Sequence, residues 1–517
     1  MRIGIDVGGT HTDAVLLDGD EILATTKALT SADVTSGILT ALDTVLSESG
    51  VSQSDVRAVM LGTTQFTNAV IERRELSAVA AIRIGLPSGE GVPPMIGWPE
   101  DIAGALGGHV YSLDGGYLYD GRPLAALNDE QIDKAIADIR GKGIKAVSIA
   151  SAFSPMNAEP ELKIAERVTA AIPDARITLS HRIGRIGILE RENAALLNAA
   201  LLGFADRVVD AFGQALVSKG IGARFFVSQN DGTLMDAEFV REYPALTFAS
   251  GPTNSLRGAC RLTGLNDAIV VDIGGTTSDI GVLQDGFPRE SNVIIDVGGV
   301  RTNFRMPDIL ALGLGGGSLV RDDGRLIGPQ SVGHRLVEEG LVFGGSQLTA
   351  TDLVVAAGEA DIGDRSALDG VDPAIVSNGI DTMQLMLEQH IDLMKPGSEP
   401  MPVVLVGGGA LLVTRKLRNA SEMLRPEHAG VANAIGAAIA QIGGEAERLV
   451  SYAEKPRDTW LKEIGEEASR LAVSAGADPA SLRIADVDET SVAYMDDGMT
   501  RVRIKAVGDI AGLGAGA

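Results

Sequence analysis

The sequence predicts an α/β protein built from two related lobes that face each other across a cleft. The octapeptide DVGGTHTD at residues 6–13 recurs as DIGGTTSD at residues 272–279: the exchanges of Val for Ile and Thr for Ser keep the chemical class, and only the sixth position, His or Thr, changes it. Each copy follows one apolar run and precedes another, as in a glycine-rich turn between two strands. At 517 residues the chain also exceeds the size of one ordinary hydrophobic core.

The remaining elements fit the same fold class. Apolar residues recur at helical spacing from Val34 to Leu46, and Val56 to Leu61 is typical of a buried strand. After the second octapeptide, a long helical pattern from Ile375 to Met394 precedes the apolar run from Val403 to Val406. Helices that alternate with strands predict sheets covered by helices.

These patterns predict three regions. Residues 1–265 form the first lobe, residues 266–450 the second lobe, and residues 451–517 a small α+β appendage. Within the first lobe, residues 85–125 are rich in Gly and Pro with isolated aromatic residues, which indicates an irregular insertion. That insertion either lies near a substrate or is a surface excursion.

Composition limits the possible partners. A formal net charge of -25 argues against nucleic acid or an anionic membrane surface, because both demand clustered Lys and Arg. The single cysteine, Cys260, cannot form an intrachain disulfide, and the six histidines show no metal-ligand spacing. Asp6 places a carboxylate where the apolar region of a secretory signal peptide would lie, so no signal peptide is expected. No apolar run reaches the roughly 20 residues that span a bilayer. We therefore expect a cytoplasmic protein.

The repeated turns indicate phosphate binding. Glycine permits positive φ and close approach of the backbone to a phosphate, and successive amides in such a turn form an anion-binding nest without basic residues. One such octapeptide could be a plain hairpin, but coincidence is a poor explanation for two. A third glycine segment follows the strand 403–406, where a base and ribose could lie against the backbone. The predicted ATP-binding residues are Gly8, Gly9, Thr10, Thr12, Gly274, Gly275, Thr276, Thr277, Gly407, Gly408 and Gly409.

The first acid of each octapeptide is the candidate catalytic and metal-binding group. Asp6 and Asp272 repel phosphate but can hold Mg²⁺, which favours carboxylates and retains several waters. Asp13 and Asp279 either fix their loops by hydrogen bonding or act in catalysis. The chain contains no GxxxxGK[ST], and the glycines at 313–317 lack the setting of a dinucleotide loop. The small residues at 429–438 suit close helix packing.

Several segments in a fixed order carry a resemblance to a known family. They are IGIDVGGTHTDAVL, LGTTQFTNAVIERR, SHRIG, SQNDGTLM, FASGPTNSLRGA, VVDIGGTTSDIGVL, LGGGS and VGGGA, spread between Ile3 and about Gly444. With these segments the chain resembles the hydantoinase A and 5-oxoprolinase family of the actin, sugar-kinase and Hsp70 ATPase superfamily. The resemblance implies two ribonuclease-H-like domains of the actin and hexokinase type that flank a nucleotide cleft.

The resemblance also implies an activity. Members of the family look like enzymes that use ATP and Mg²⁺ to phosphorylate the carbonyl oxygen of a cyclic amide, such as a hydantoin, a lactam or 5-oxoproline, so that water can open the ring. A hydantoinase B-type partner subunit and a homo-oligomer are further expectations. The same loops would also serve a small-molecule kinase, or an ATPase that regulates or reactivates another protein.

Substrate contacts are predicted from polar residues near strand ends and turns. The candidates are Thr63, Thr64, Asn68, Arg191 and Asn230. For Arg191 an interdomain salt bridge is the alternative, and for Asn230 a simple chain reversal. The chain departs from the resemblance at Leu310, where relatives often carry His.

Overall fold

A computed structural model describes residues 1–8, 11–29, 34–291, 294–304, 306–492 and 499–513. The strands are β1 (Arg2–Val7), β2 (His11–Asp18), β3 (Glu21–Leu29), β4 (Ala58–Thr63), β5 (Val79–Leu86), β6 (His109–Asp114), β7 (Ala146–Ser151), β8 (Arg176–Leu179), β9 (Arg224–Ser228), β10 (Thr233–Asp236), β11 (Ala268–Ile273), β12 (Ser278–Gln284), β13 (Phe287–Pro288), β14 (Ile295–Val297), β15 (Val300–Thr302), β16 (Ile309–Leu312), β17 (Ser318–Arg321), β18 (Leu326–Ser331), β19 (Met401–Val406), β20 (Ala420–Leu424), β21 (Gln441–Ser451), β22 (Arg483–Ser491) and β23 (Met499–Gly508).

The α-helices connect and cover these strands. They are α1 (Val34–Ser49), α2 (Gln65–Glu72), α3 (Glu100–Ala105), α4 (Asp129–Gly141), α5 (Glu159–Ala171), α6 (Ile188–Ser218), α7 (Ala237–Glu242), α8 (Ser250–Thr263), α9 (Leu336–Glu339), α10 (Ala350–Ala356), α11 (Pro373–Met394), α12 (Ala432–Ile439) and α13 (Arg457–Ser474). None of the helices within the described ranges is both long enough and apolar enough to cross a membrane.

The two octapeptides lie in two sheets of the same topology. In the first, the order β3-β2-β1-β4-β9 has β1 antiparallel to β2 and parallel to β4. In the second, β11 is likewise antiparallel to β12 and parallel to β19, in the order β13-β12-β11-β19-β20. Even the register repeats, because Asp6 pairs with Asp13 and Asp272 pairs with Asp279. The prediction of two related ribonuclease-H-like domains is confirmed.

Burial explains why the first strand of each repeat is nearly continuous in apolar residues. Ile3 and Ile5 in β1, and Ile269 and Val271 in β11, are fully buried. Each of these central strands has helices on both faces of its sheet, so both alternating sets of side chains need apolar surroundings. The first core includes residues of α1 and α6, and the second includes residues of α10 and α11.

Helices α8 and α12 join the two repeats by packing on each other's sheets. Helix α8 precedes the second sheet in the chain, yet Leu256 packs against Val270 of that sheet. Helix α12 comes from the second repeat, yet Ala434 packs against Val15 of the first sheet. The predicted packing role of residues 429–438 is confirmed.

Glycine makes the crossing of α8 and α12 possible. A Cβ at Gly258 would lie 1.8 Å from the carbonyl oxygen of Ala432, and one at Gly436 would lie 1.8 Å from that of Asn254. Both distances are far below van der Waals contact, so any larger residue forces the helices apart.

The region between β4 and β9 is more regular than the sequence indicates. Residues 79–179 contain a separate parallel sheet in the order β6-β5-β7-β8, which has its own apolar core. The predicted irregular segment 85–125 contributes α3 and β6 to this unit. The irregular character expected for all of 85–125 is therefore wrong, because short elements with few apolar residues give a weak periodic signal.

The C-terminal strands return to the first sheet. Strand β21 pairs in parallel with β10, and β23 pairs with both β21 and β22, which extends the first sheet to nine strands. Residues 441–450 thus belong to the first sheet, although the predicted boundary assigns them to the second lobe. Pairing partners distant in sequence decided this placement.

We predict that Gly258→Ala and Gly436→Ala each destabilise the fold by about 1–3 kcal/mol or more, because the added methyl group overlaps a backbone carbonyl. Chemical denaturation measures the change. Gly213→Ala is the matched control: Gly213 lies within α6 with no atom within 4 Å of an added Cβ, so alanine there should be neutral or stabilising. Equal effects at the three positions would contradict the crossing geometry.

Candidate nucleotide site

The two glycine turns open onto one cavity of about 360 Å³. Gly8 and His11 line it from the first turn, and Gly274 and Gly275 line it from the second. The third glycine segment, residues 407–409, lines the same space. Gly9 and Thr10 lie outside the described residues. The fold therefore brings together the three glycine segments that the sequence predicts to bind ATP, although they are far apart in the chain.

The third glycine segment packs directly on the second turn. Gly409 donates its backbone N–H to the carbonyl of Ile273, with an N–O distance of 2.7 Å. Gly407 has a φ of +81°, and a Cβ there would lie 2.3 Å from Asp272 Oδ1. Glycine is needed at 407 for both reasons, because other residues rarely adopt this φ and any side chain would meet the carboxylate.

A fourth glycine segment, residues 315–317, supports the second turn from the other side. Gly316 and Gly317 donate their N–H groups to the carbonyls of Gly274 and Gly275, at 3.0 and 2.8 Å. A Cβ at Gly315 would lie 2.6 Å from the Thr276 nitrogen. The sequence analysis excludes a dinucleotide loop at these glycines but does not predict their contact with the second turn. The run of three glycines is the sequence signal for such a close backbone approach.

The predicted threonines stand apart from the cavity lining. Thr12 is fully buried within β2, and Thr276 and Thr277 are exposed at the tip of the second turn. Among the described residues that line the cavity, none of these three is present. Their contact with a nucleotide stays a prediction.

Each hairpin carries two aspartates behind its turn, with Asp6 opposite Asp13 and Asp272 opposite Asp279. Asp6 is 4% exposed; its Oδ2 accepts a hydrogen bond from Asn433 Nδ2 at 2.8 Å. The second oxygen, Oδ1, has no hydrogen-bond partner within the part of the chain that the structure describes. Asp272 Oδ2 accepts from Ser255 Oγ at 2.5 Å.

Burial and mutual repulsion shift these acids towards their neutral form. Burial, followed by the charges of Asp13 and Asp272, raises the pKa of Asp6 to about 7. Burial and the charge of Asp272 likewise raise the pKa of Asp279 to about 7. The pKa of Asp272 is also raised, mainly by burial. A site that holds several acids in this condition favours a cation as their partner.

Lys27 is the charged residue that the sequence reasoning missed. Its Nζ lies 2.9 Å from both carboxylate oxygens of Asp13 and 3.1 Å from the carbonyl of Gly430, and its side chain lines the cavity. In the sheet, Lys27 on β3 lies directly opposite Asp13 on β2. The signal was cross-strand register, which requires the hairpin length to be known first.

The other end of the cavity is apolar. Leu336, Phe343, Ile362 and Leu411 of the second repeat line it, beside the third glycine segment. Burial also lowers the pKa of His11, so this imidazole at the cavity wall favours its neutral form. The cavity thus has an acidic end between the two glycine turns, at residues 8–11 and 274–277, and an apolar end in the second repeat.

Among the predicted substrate residues, Thr63, Thr64 and Asn68, at or just after the end of β4, are not part of the described cavity lining. Thr63 is buried and its Oγ1 accepts from the N–H of Gln65 at 3.2 Å, while Thr64 Oγ1 donates to the carbonyl of Val7 at 3.4 Å. Asn68 is exposed on α2. Their substrate roles stay predictions.

Arg191 belongs to the internal scaffold. Its fully buried guanidinium donates to the carbonyls of Ser151, Arg185 and Ile186 and to Ser180 Oγ. Neither the predicted contact with a substrate carboxylate nor the interdomain salt bridge fits this position, because its hydrogen bonds go to one carbonyl at the end of β7 and to carbonyls and a hydroxyl in the turn after β8.

Asn230 and Leu310 have well-defined surroundings. Asn230 is 3% exposed, its backbone N–H donates to the carbonyl of Leu246, and its Nδ2 has no partner among the described residues. Leu310 lies in β16, directly opposite Ile280 on β12, and packs against the second core.

We predict that the Asp6 carboxyl group makes the metal-free protein progressively less stable as pH rises from about 4 to about 7. The folded pKa of Asp6, about 7, lies above its ordinary value of 3.8, so in this window the folded state keeps a proton that the unfolded state has lost. The contribution of Asp6 to stability is therefore greatest below its ordinary pKa of 3.8, and it is lost as pH rises through the folded pKa of about 7. Asp6→Asn should remove part of this loss and stabilise the protein by about 1–3 kcal/mol at about pH 8.

Denaturant unfolding in EDTA across this pH range measures the effect. Asp381→Asn is the control, since its carboxylate is exposed on α11 and paired with Arg415. An Asp6→Asn variant with the same pH dependence as the parent would contradict the assigned burial cost.

Comparison with known proteins identifies the family. Residues 2–172 match the hydantoinase/oxoprolinase N-terminal region, and residues 191–364 match hydantoinase/oxoprolinase. The chain is 27% identical over 393 residues to the caprolactamase subunit alpha of Pseudomonas jessenii, and 26% identical over 403 residues to the acetophenone carboxylase gamma subunit of Aromatoleum aromaticum. Each match covers 69% of this chain but only 54% and 53% of the relatives, so the chain spans about half their length.

Solved structures share the fold. The crystal structure of ATP-dependent caprolactamase from Pseudomonas jessenii has a TM-score of 0.79 at 20% identity, over 98% of this chain and 87% of that one. The nucleotide-free structure of acetone carboxylase has a TM-score of 0.68 at 16% identity, over 99% of this chain and 88% of that one. The two matched regions, residues 2–172 and 191–364, together show that the chain belongs to the hydantoinase/oxoprolinase family.

Proposed function

We propose that this protein is the ATP-using part of an enzyme that opens a cyclic amide by phosphorylating its carbonyl oxygen. One observation carries the proposal: two glycine turns, with the buried Asp6 behind the first and the half-buried Asp272 behind the second, meet at a single cavity. The family supports the reaction type, and the relative named caprolactamase subunit alpha supports a lactam as the substrate class.

The two ends of the cavity suit the two ends of a nucleotide. The apolar side chains of Leu336, Phe343 and Leu411 would receive the base, next to the third glycine segment, residues 407–409. The backbone amides of the two glycine turns would bind the phosphates, since backbone amides bind anions without added positive charge. Lys27 would neutralise part of the phosphate charge.

The carboxylates fit Mg²⁺. Asp6 Oδ1 has no hydrogen-bond partner among the described residues, and Asp272 lies at the cavity wall. No three acidic, His or Cys side chains of the described ranges converge into a complete metal site. Asp6 and Asp272 would hold the ion together with phosphate oxygens and water, the usual coordination of Mg²⁺. When bound, the ion supplies charge neutralisation for phosphoryl transfer.

The chemistry proceeds without a protein nucleophile. The amide carbonyl oxygen attacks the γ-phosphorus while the bond to ADP breaks, which leaves an O-phosphorylated ring. Water then adds to the activated carbon, the C–N bond breaks with its electron pair passing to nitrogen, and a second water releases phosphate from the acyl phosphate. The protein contributes orientation of the reactants and exclusion of bulk water.

Partner subunits are part of the proposal. The two relatives are named as subunits, and the chain spans about half of their length. We therefore propose that a hydantoinase B-type subunit completes the hydrolytic half of the reaction, while this chain supplies the nucleotide cleft.

The decisive experiment measures ADP release in the presence of caprolactam, hydantoin and 5-oxoproline, with ring opening followed by chromatography. Stimulated ADP release with ring opening supports the proposal. A stable phosphorylated substrate would indicate a kinase instead, and turnover that responds only to a protein partner would indicate a regulatory ATPase.

Asp272→Asn should lower substrate-stimulated ADP release by about 100-fold or more, because it removes charge from a carboxylate assigned to the metal. Asp381→Asn, which changes an exposed carboxylate on α11, is the matched control and should keep full turnover. Circular dichroism and melting curves establish that both variants fold. Full turnover in Asp272→Asn would refute the assigned role.

Lys27→Met should raise the KM for ATP by about tenfold, because the ammonium no longer offsets phosphate charge in an acidic cleft. Lys27→Arg should retain part of the affinity. Steady-state kinetics at saturating Mg²⁺ provides the measurement, and Lys134→Met, which removes an exposed charge from α4, is the control. An unchanged KM in Lys27→Met would show that Lys27 serves only to pair with Asp13.

A further inference from the structure

Helices α8 and α12 carry polar residues at equivalent positions. At their crossing, Gly258 and Gly436 each touch a backbone carbonyl of the opposite helix. Ser255 lies three residues before Gly258, and Asn433 lies three residues before Gly436. The two residues are therefore counterparts in the duplicated fold, although one is a hydroxyl and the other a carboxamide.

Each counterpart donates to the aspartate of the opposite repeat. Ser255, from the first repeat, donates to Asp272 Oδ2 at 2.5 Å. Asn433, from the second repeat, donates to Asp6 Oδ2 at 2.8 Å across a sequence separation of 427 residues. The exchange follows from the packing, since each helix lies on the sheet of the other repeat.

In both aspartates, Oδ2 accepts the hydrogen bond from the opposite repeat, and Oδ1 is the oxygen that a cation could contact. Asp6 Oδ1 has no hydrogen-bond partner among the described residues. Asp272 Oδ1 faces Gly407, a residue of the cavity wall, where a Cβ would lie only 2.3 Å from it. Ser255 and Asn433 themselves line the cavity.

We propose that Ser255 and Asn433 are positioning residues, which orient Asp272 and Asp6 across the repeat boundary so that their second oxygens meet one divalent cation. Because each donor comes from the opposite repeat, both acids are oriented only when α8 and α12 are docked at their glycine crossing. Binding of the cation and docking of the two repeats are thereby coupled. This inference rests on the proposed nucleotide site.

The test compares Ser255→Ala and Asn433→Ala with conservative variants. Ser255→Thr keeps the hydroxyl, and Asn433→Ser places on α12 the group that its counterpart carries on α8. Thr263→Val is the control for α8, since the Thr263 hydroxyl donates to the carbonyl of Ala259 and accepts from the N–H of Leu265, and both contacts lie at the C-terminal end of that helix. Melting curves show whether each variant folds.

Two binding measurements need no ring substrate. Electron paramagnetic resonance titration gives the affinity for Mn²⁺ in the presence of ATP, and calorimetry gives the affinity for ATP in Mg²⁺ and in EDTA. We expect each alanine variant to weaken Mn²⁺ binding by about tenfold or more, the usual effect of removing a hydrogen bond to a metal-ligating group. ATP affinity in EDTA should change by less than about twofold, and the conservative variants should recover metal affinity.

Two results would overturn the inference. One is unchanged Mn²⁺ affinity in both alanine variants, and the other is an equal loss of ATP affinity in Mg²⁺ and in EDTA, which a purely structural role would produce. The proposed function fails separately, if no cyclic amide stimulates ADP release in a protein that still binds Mg²⁺ and ATP through these residues.

Discussion

The contact between α8 and α12 is the constraint on which the rest of the structure depends. Gly258 and Gly436 allow each helix to touch the backbone of the other, and each helix packs on the sheet of the opposite repeat. This exchange ties the two sheets into one body and turns the two glycine turns towards the same cavity. Without the close approach, the turns would be two ordinary hairpins on separate lobes.

The acids behind the turns are buried at a cost in folding stability that favours cation binding. Asp6 and Asp279 have pKa values raised to about 7 by burial and by neighbouring carboxylates. Functional sites commonly retain such unfavourable groups because the ligand supplies the missing partner. In this protein the surrounding fold, including the hydrogen bonds from Asn433 and Ser255, holds the acids in place.

Sequence reasoning was reliable where the signal was local and less so where a role depended on surroundings. From the sequence, Arg191 is a candidate ligand for a substrate carboxylate, but its guanidinium donates its hydrogen bonds to carbonyls inside the first lobe. Lys27 gave no local signal, because its pairing with Asp13 is visible only once the strand register is known. Position in the chain assigns residues 441–450 to the second lobe, whereas the pairing of β21 with β10 places them in the first sheet.

By itself the sequence determined the duplication, the strand-turn-strand units and the glycine positions, since these depend on residue type and short-range spacing. Only the tertiary structure decided which donor holds which acid. The bond from Asn433 to Asp6 spans 427 residues, and the crossing of α8 and α12 exchanges partners between the repeats. Such contacts are selected by the packing of whole elements, and no local pattern encodes them.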